Sequence, residues 1–209
     1  ARAEVVEGQR LFLIGSPACT QYCSWQALNA VKHDWPEGER ERRMVAADVH
    51  LAFVAELYKI QMDGGRYFLH ENPENSKSWE RPPMASLSRD ERVHKVGGDQ
   101  CQYNQESFKN EPVKKPTGWM SNSVELLAKL SKRCKGSNGN CSRPKGGRHG
   151  SASGRVAREA AAYPFKLCRA ILEGCRNQMV KDGKLSNGSH GMQALFEEDA
   201  VEYLNAQSL

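Results

Sequence analysis

The sequence has no apolar run approaching the length of a bilayer-spanning helix. Its first residues, ARAEVVEGQR, have neither the basic start nor the apolar centre of a secretory signal. A membrane partner is therefore not expected. No internal repeat is present, which argues against a stacked-repeat architecture. An initiator Met is also missing, so the chain reads as a processed piece or an excerpt. A disulfide framework is not expected either. The seven cysteines (Cys19, Cys23, Cys101, Cys134, Cys141, Cys168 and Cys175) are odd in number and widely scattered. Without a secretion signal they read as free thiols in a reducing, intracellular compartment. Tight ligand spacing is lacking as well. Cys134 and Cys141, with His149 or Cys168, form no close-set knuckle, and no metal is expected.

What is present fits one ordinary domain, or part of a larger one. There are 209 residues, 39% hydrophobic and 26% charged, a globular balance rather than a disordered one. The net charge of +5 is unevenly spread. From Lys129 to Arg169 the bases Lys129, Lys132, Arg133, Lys135, Arg143, Lys145, Arg148, Arg155, Arg158, Lys166 and Arg169 face only Glu159. Such a block suits a polyanion, with a phosphate backbone the first choice. The same charges would also suit a solvated, mobile loop.

Hydrophobic patterning gives an α/β reading. Leu11–Ile14 is a short apolar run stopped by Gly15-Ser16-Pro17, the mark of a buried strand cut off by a turn. Glu39 to Met62 reads as a helix, with Val45, Val49, Ala52, Phe53, Leu57 and Ile60 on its apolar side. Gly64-Gly65 ends it, and Arg66–His70 is a second strand. Strand, long helix and strand in this order predict a right-handed βαβ unit in a parallel sheet. Weaker strands are expected at Val93–Val96 and Gly118–Ser121, then a helix capped by Ser123 and running to Leu130. Residues 131–154 read as a long basic loop. A helical stretch from Ala160 to Lys181 should start near Pro164 and bury Leu167, Cys168, Ile171 and Leu172. A linker, Lys184–Gly191, then precedes an amphipathic segment, Met192–Leu204.

Two turns can carry chemistry. Gly15-Ser16-Pro17-Ala18-Cys19-Thr20 follows a buried strand, and ligands of open α/β sheets bind beyond the carboxyl ends of strands. A cysteine there lies close to backbone N–H groups, which favours the thiolate nucleophile. The alternative is a small apolar residue packed at a strand end. Glu71-Asn72-Pro73 follows the second strand in the same way, and adjacent parallel strands would bring Glu71 to the same sheet edge as Cys19. By itself it could equally be a turn that breaks the strand. Trp25, Trp35, Trp79 and Trp119 could stack bases, though packing is the commoner role.

Gly15-Ser16-Pro17-Ala18-Cys19 resembles the GSPPC nucleophile loop of DNA cytosine-5 methyltransferases, and Glu71-Asn72-Pro73 resembles their ENV motif. The closer likeness is to a divergent branch in bacteriophages and in retroelement-type polyproteins of dinoflagellate algae, which carries ENP. That branch also has segments similar to Asp99–Tyr103, to Lys115-Pro116-Thr117 before a strand ending Ser121-Asn122-Ser123, to a basic Cys/Gly-rich loop, and to Tyr163–Ile171. The pieces stand in the same order from Leu11 to Ile171, most of the chain.

The resemblance implies a partial Rossmann-like class I methyltransferase fold over residues 1–171, with the basic loop at 131–154 and a helical extension at 172–209. It implies transfer of methyl from S-adenosylmethionine to cytosine in DNA, with the base flipped out of the duplex. Cys19 would be the nucleophile, and Glu71 would hold the ring at N3 and the exocyclic amine. Pro17 and Asn72 would brace the two turns, and Lys115 would stand near the base carbonyl. Arg143, Lys145, Arg148, Arg155 and Arg158 would lie on phosphates. A retroelement origin in a eukaryote would place the chain in the nucleus, among neighbouring domains of a polyprotein.

The match also has gaps. Complete members open with a strand and a glycine-rich turn for the cofactor, followed by an acidic residue for its ribose. Only ten residues precede Leu11, so the N-terminal strands of the sheet are expected to be missing. Ala18 replaces the second Pro, and the Arg-x-Arg pattern expected after the third motif is not visible. The chain by itself is therefore expected to bind S-adenosylmethionine poorly, to be incomplete as an enzyme and to leave Leu11–Ile14 as an open sheet edge. The competing expectation is a non-catalytic nucleic-acid-binding remnant of a retroelement polyprotein.

Overall fold

A computed structural model describes residues 1–23 and 25–186. The expected segment Met192–Leu204 and most of its linker lie outside these residues. Among the described residues no helix is long and apolar enough to cross a membrane.

The chain is α/β. A mixed four-stranded sheet holds β1 (Phe12–Gly15), β2 (Tyr67–Pro73), β3 (His94–Asp99) and β4 (Pro116–Ser121) in the order β1-β2-β4-β3. β1 and β2 run parallel, with Gly15 opposite His70, while β4 is antiparallel to both of its neighbours. Helices α1 (Arg2–Glu7), α2 (Trp25–Lys32), α3 (Glu39–Asp63) and α4 (Pro82–Leu87) come before β3. Helices α5 (Val124–Leu130), α6 (Gly154–Glu159) and α7 (Phe165–Lys181) follow β4. The expected βαβ unit is present as β1, α3 and β2, and β1 is an edge strand.

Side chains alternate across the sheet, and each face buries its own cluster. Phe68 and Met120 point to α3 and α4, where they pack with Leu51, Ala55, Tyr58, Met62, Met84 and Leu87. Their neighbours Leu69 and Trp119 point the other way, to Leu126, Leu130, Leu167 and Ile171 of α5 and α7. Because both faces of β2 are covered, it reads as a nearly continuous buried run. Each fully buried Leu or Phe contributes roughly 1.5–3 kcal/mol.

Two helical faces differ from the sequence expectation. Val45, Val49 and Ala52 of α3 are exposed, and the buried stripe is Leu51, Ala55, Tyr58 and Met62. Both stripes are apolar at helical spacing, and only contact with the sheet distinguishes them. In α7, Leu167 and Ile171 are buried as expected, but Cys168 and Leu172 face out. Ala170, Gly174 and Cys175 take the inner face because α5 passes very close. A Cβ on Gly174 would lie 2.7 Å from the Leu126 Cα. The predicted cap is present, with Ser123 Oγ accepting from the Leu126 N–H at 3.2 Å. The same hydroxyl donates to buried Gln178 at 2.7 Å, tying α5 to α7.

Candidate active site at the carboxyl edge of the sheet

β1 delivers Cys19 through the turn Gly15–Ala18. Gly15 is required because the Tyr58 hydroxyl would lie 2.0 Å from a Cβ there. That hydroxyl instead meets His70 Nδ1 at 3.1 Å. Burial holds His70 far below the usual imidazole range, at about 3, so the ring is a neutral spacer beneath the site. Cys19 opens a 3-10 turn, Thr20–Tyr22, that is pinned to α3: buried Tyr22 donates to Asp48 at 3.1 Å, and Arg81 pairs with the same carboxylate.

Glu71 sits near the end of β2 and is 5% exposed. Because β1 and β2 are parallel neighbours, its carboxylate meets the Cys19 turn. Ser16 Oγ donates to Glu71 Oε2 at 2.5 Å. The other oxygen, Oε1, is buried and has no hydrogen-bond partner among the described residues. An orphaned buried acceptor costs about 1–3 kcal/mol and more when charged, so it suits a donor supplied by a ligand. Asn72 lies between the two turns: its Nδ2 donates to the Pro17 carbonyl at 3.3 Å, and its Oδ1 accepts from Ser78 at 3.1 Å.

Burial raises the Cys19 thiol above its ordinary range, and the charge of Glu71 raises it further. Lys115 acts in the opposite direction, which places all three groups in one electrostatic neighbourhood. Lys115 Nζ donates to the Ala160 carbonyl at 3.1 Å. Tyr163 joins the group although the sequence did not single it out as a site residue. Its phenol is raised by burial first and by the Glu71 charge second, and its buried hydroxyl lies against the Ser16 and Glu71 side chains without forming a hydrogen bond of regular geometry. Its only sequence signal was its place in the Tyr163-Pro164-Phe165 match. Ser16 was likewise read only as part of a turn.

Of the basic residues expected on phosphate, Lys145, Arg148, Arg155 and Arg158 are exposed. Arg155 is held by Glu159 at 2.6 Å on its own helix. Arg143 departs from expectation. Its side chain is 4% exposed and pairs with Glu106 at 2.5 Å while donating to the Gly146 carbonyl at 2.8 Å. It is an internal strut of the loop and cannot reach a phosphate. Trp119 is core, whereas Trp25 is exposed.

No family model, curated protein or solved structure matches the chain.

A second set of side chains comes together beyond the ends of β3 and β4. The Sγ atoms of Cys101, Cys134 and Cys141 and a ring nitrogen of His149 all lie within 4.8 Å of one another. Cys168, the other ligand weighed from the sequence, is exposed and outside the group. Spacing alone argued against a metal here because Cys134, Cys141 and His149 form no close-set knuckle, and Cys101 stands far from them in sequence. It arrives from the 3-10 turn Gln100–Tyr103 that follows β3. Burial pushes its thiol up to about 12. For Cys134 burial acts in the same sense, but N–H donors from Ser142 and Gly136 outweigh it and bring the thiol down to about 6.

Proposed function

We propose that the chain is the nucleophile-bearing and base-holding part of a DNA cytosine-5 methyltransferase. The observation that carries this reading is Glu71, buried beside the Cys19 turn with one oxygen held by Ser16 and the other unpartnered. A base flipped out of its duplex offers the donor that oxygen lacks. The Cys19 thiolate adds to cytosine C6, while Glu71 receives hydrogen bonds from protonated N3 and the exocyclic amine. Pairing with that proton offsets the carboxylate charge that opposes thiolate formation. Lys115 favours the thiolate, and by the family resemblance it would hold the base carbonyl. The order of the matching motifs from Leu11 to Ile171 supports the same reading, as does an α/β sheet compatible with part of a class I methyltransferase fold.

S-adenosylmethionine supplies the electrophilic methyl group in such a reaction. Among the described residues no strand with a glycine-rich turn stands beside β1, so no residue is assigned to that cosubstrate and no step is derived through it. The exposed Lys145, Arg148 and Arg158 favour a second reading, a nucleic-acid-binding module that keeps the surface without the chemistry.

The two are separated by an oligonucleotide containing 5-azacytosine, which needs no methyl donor to react. A sulfur–C6 bond forms, the C6–N5 double bond is lost and N5 takes the proton. The adduct mass is then the sum of chain and oligonucleotide. The enzyme reading expects this mass, and expects Cys19→Ala to abolish it. Salt-sensitive DNA binding by wild type and Cys19→Ala alike, with no adduct from either, would establish the binding reading instead.

A further inference from the structure

We propose that Cys101, Cys134, Cys141 and His149 bind one zinc ion that staples the basic loop to the carboxyl edge of the sheet. The site is independent of the methyltransferase reading, and its chemistry is that of a closed, structural centre. Three thiol groups and one imidazole complete a tetrahedral set, which leaves no position open for substrate.

The two separations measured from Cys134 are those of a metal site, within a group whose ligand atoms all lie within 4.8 Å of one another. Zinc–sulfur bonds of ~2.3 Å and zinc–nitrogen bonds of ~2.0 Å at tetrahedral angles put two sulfurs about 3.8 Å apart, and a sulfur and a nitrogen about 3.5 Å apart. Cys134 Sγ lies 3.8 Å from Cys141 Sγ and 3.6 Å from His149 Nε2. A disulfide would bring its two sulfurs to about 2.05 Å and would leave the third thiol and the imidazole unexplained.

The surroundings are those of a ligand shell. The Ser142 N–H points at Cys134 Sγ from 3.4 Å, and Gln102 Nε2 lies 3.5 Å from Cys101 Sγ and 3.6 Å from Cys141 Sγ. Such donors spread the charge of thiolates held on a metal and fix their orientation. The backbone is built for the same purpose. Cys134 N–H is held by Asp99, the last residue of β3, at 2.8 Å. Cys141 N–H donates to the Gly147 carbonyl and His149 N–H to the Gly139 carbonyl, each at 2.8 Å, so a small antiparallel turn presents both ligands.

Position gives the site its consequence. β3 runs parallel to β2, since both are antiparallel to β4, and so Asp99–Cys101 leave the sheet at the same end as Glu71. The Gln100 N–H donates to the Lys115 carbonyl at 3.1 Å. Zinc therefore holds the segment carrying Lys145 and Arg148 over the edge where Lys115, Glu71 and Cys19 meet. Without it, residues 134–149 keep the Cys134–Asp99 bond and the Arg143–Glu106 pair but lose the link from Cys141 and His149 to Cys101.

The test is metal analysis of the full chain purified without chelator. About one zinc per chain is expected. Reconstitution with cobalt(II) should give the strong visible bands of a tetrahedral thiolate centre. Stripping the metal should make Lys135 and Lys145 cleavable by trypsin, and adding zinc back should restore protection. Cys134→Ser and His149→Ala should lose stoichiometric metal, whereas Cys168→Ser should keep it. Where a variant fails to fold, the wild-type metal content and cobalt spectrum still decide. The proposal is overturned if metal-free chain shows the same protection with and without zinc, if cobalt binds only in an octahedral oxygen-rich manner, or if intact mass reveals a Cys134–Cys141 disulfide.

Discussion

The two cysteine sites at the carboxyl edge of the sheet are built in opposite ways. Cys19 lies on a turn after an edge strand, faces a buried carboxylate, and has its thiol raised by burial and by that charge. Cys134 lies among backbone N–H donors that bring its thiol down to about 6. A site with that pull toward thiolate, crowded by three other soft ligands, is suited to holding a cation. A thiol kept protonated until a protonated base pairs with the neighbouring carboxylate would be suited to reacting only when its substrate is present. The same residue type serves different ends because its neighbours differ.

The largest test of this contrast is Glu71→Gln. Glutamine keeps the shape but cannot hold N3 as a charge partner, so adduct formation at Cys19 should slow by roughly 10²-fold or more. The free thiol should respond in the other direction. The Glu71 charge raises the Cys19 pKa, so removing it lowers that pKa, and the pH midpoint for alkylating Cys19 should move down. A midpoint that stayed in place, read from the Cys19 peptide by mass spectrometry, would break the proposed coupling.

Next in size is Arg143→Ala. Losing the buried guanidinium's bonds to half-buried Glu106 and to the Gly146 carbonyl should cost about 1–3 kcal/mol in a denaturant melt. Ser123→Ala should cost about 1 kcal/mol from the lost helix cap, with some addition for stranded Gln178. Arg148→Ala should change stability by less than about 0.5 kcal/mol and reduce the salt slope of DNA binding by roughly one. Equal effects of the Arg143 and Arg148 substitutions on stability would contradict the division between strut and surface.

The sequence exposed one of these sites and hid the other for a physical reason. Cys19 and Glu71 each follow a strand that an apolar run and a glycine stop make visible, and one βαβ unit suffices to bring them together. Cys101, Cys134, Cys141 and His149 come from a turn after β3 and from an irregular loop beyond α5. Their spacing holds no period, and the turn and the loop meet through Asp99, whose N–H donates to the Lys132 carbonyl and whose carboxylate accepts from the Cys134 N–H. Val45 and Val49 misled for a related reason: an apolar stripe states that something can be buried and leaves open which stripe meets the sheet. Arg143 could not be told from Arg148 by composition, since the difference is a single acid, Glu106, reached only after folding.

The most direct measurement is the location of the cross-link formed with 5-azacytosine DNA. Cys23 and Cys168 are more exposed than Cys19, so indiscriminate chemistry would choose those. Peptide mapping of the adduct should place the nucleotide on Cys19 alone. Modification at Cys23, Cys134 or Cys168 with Cys19 unmodified, or an adduct undiminished in Cys19→Ala, would contradict the assignment.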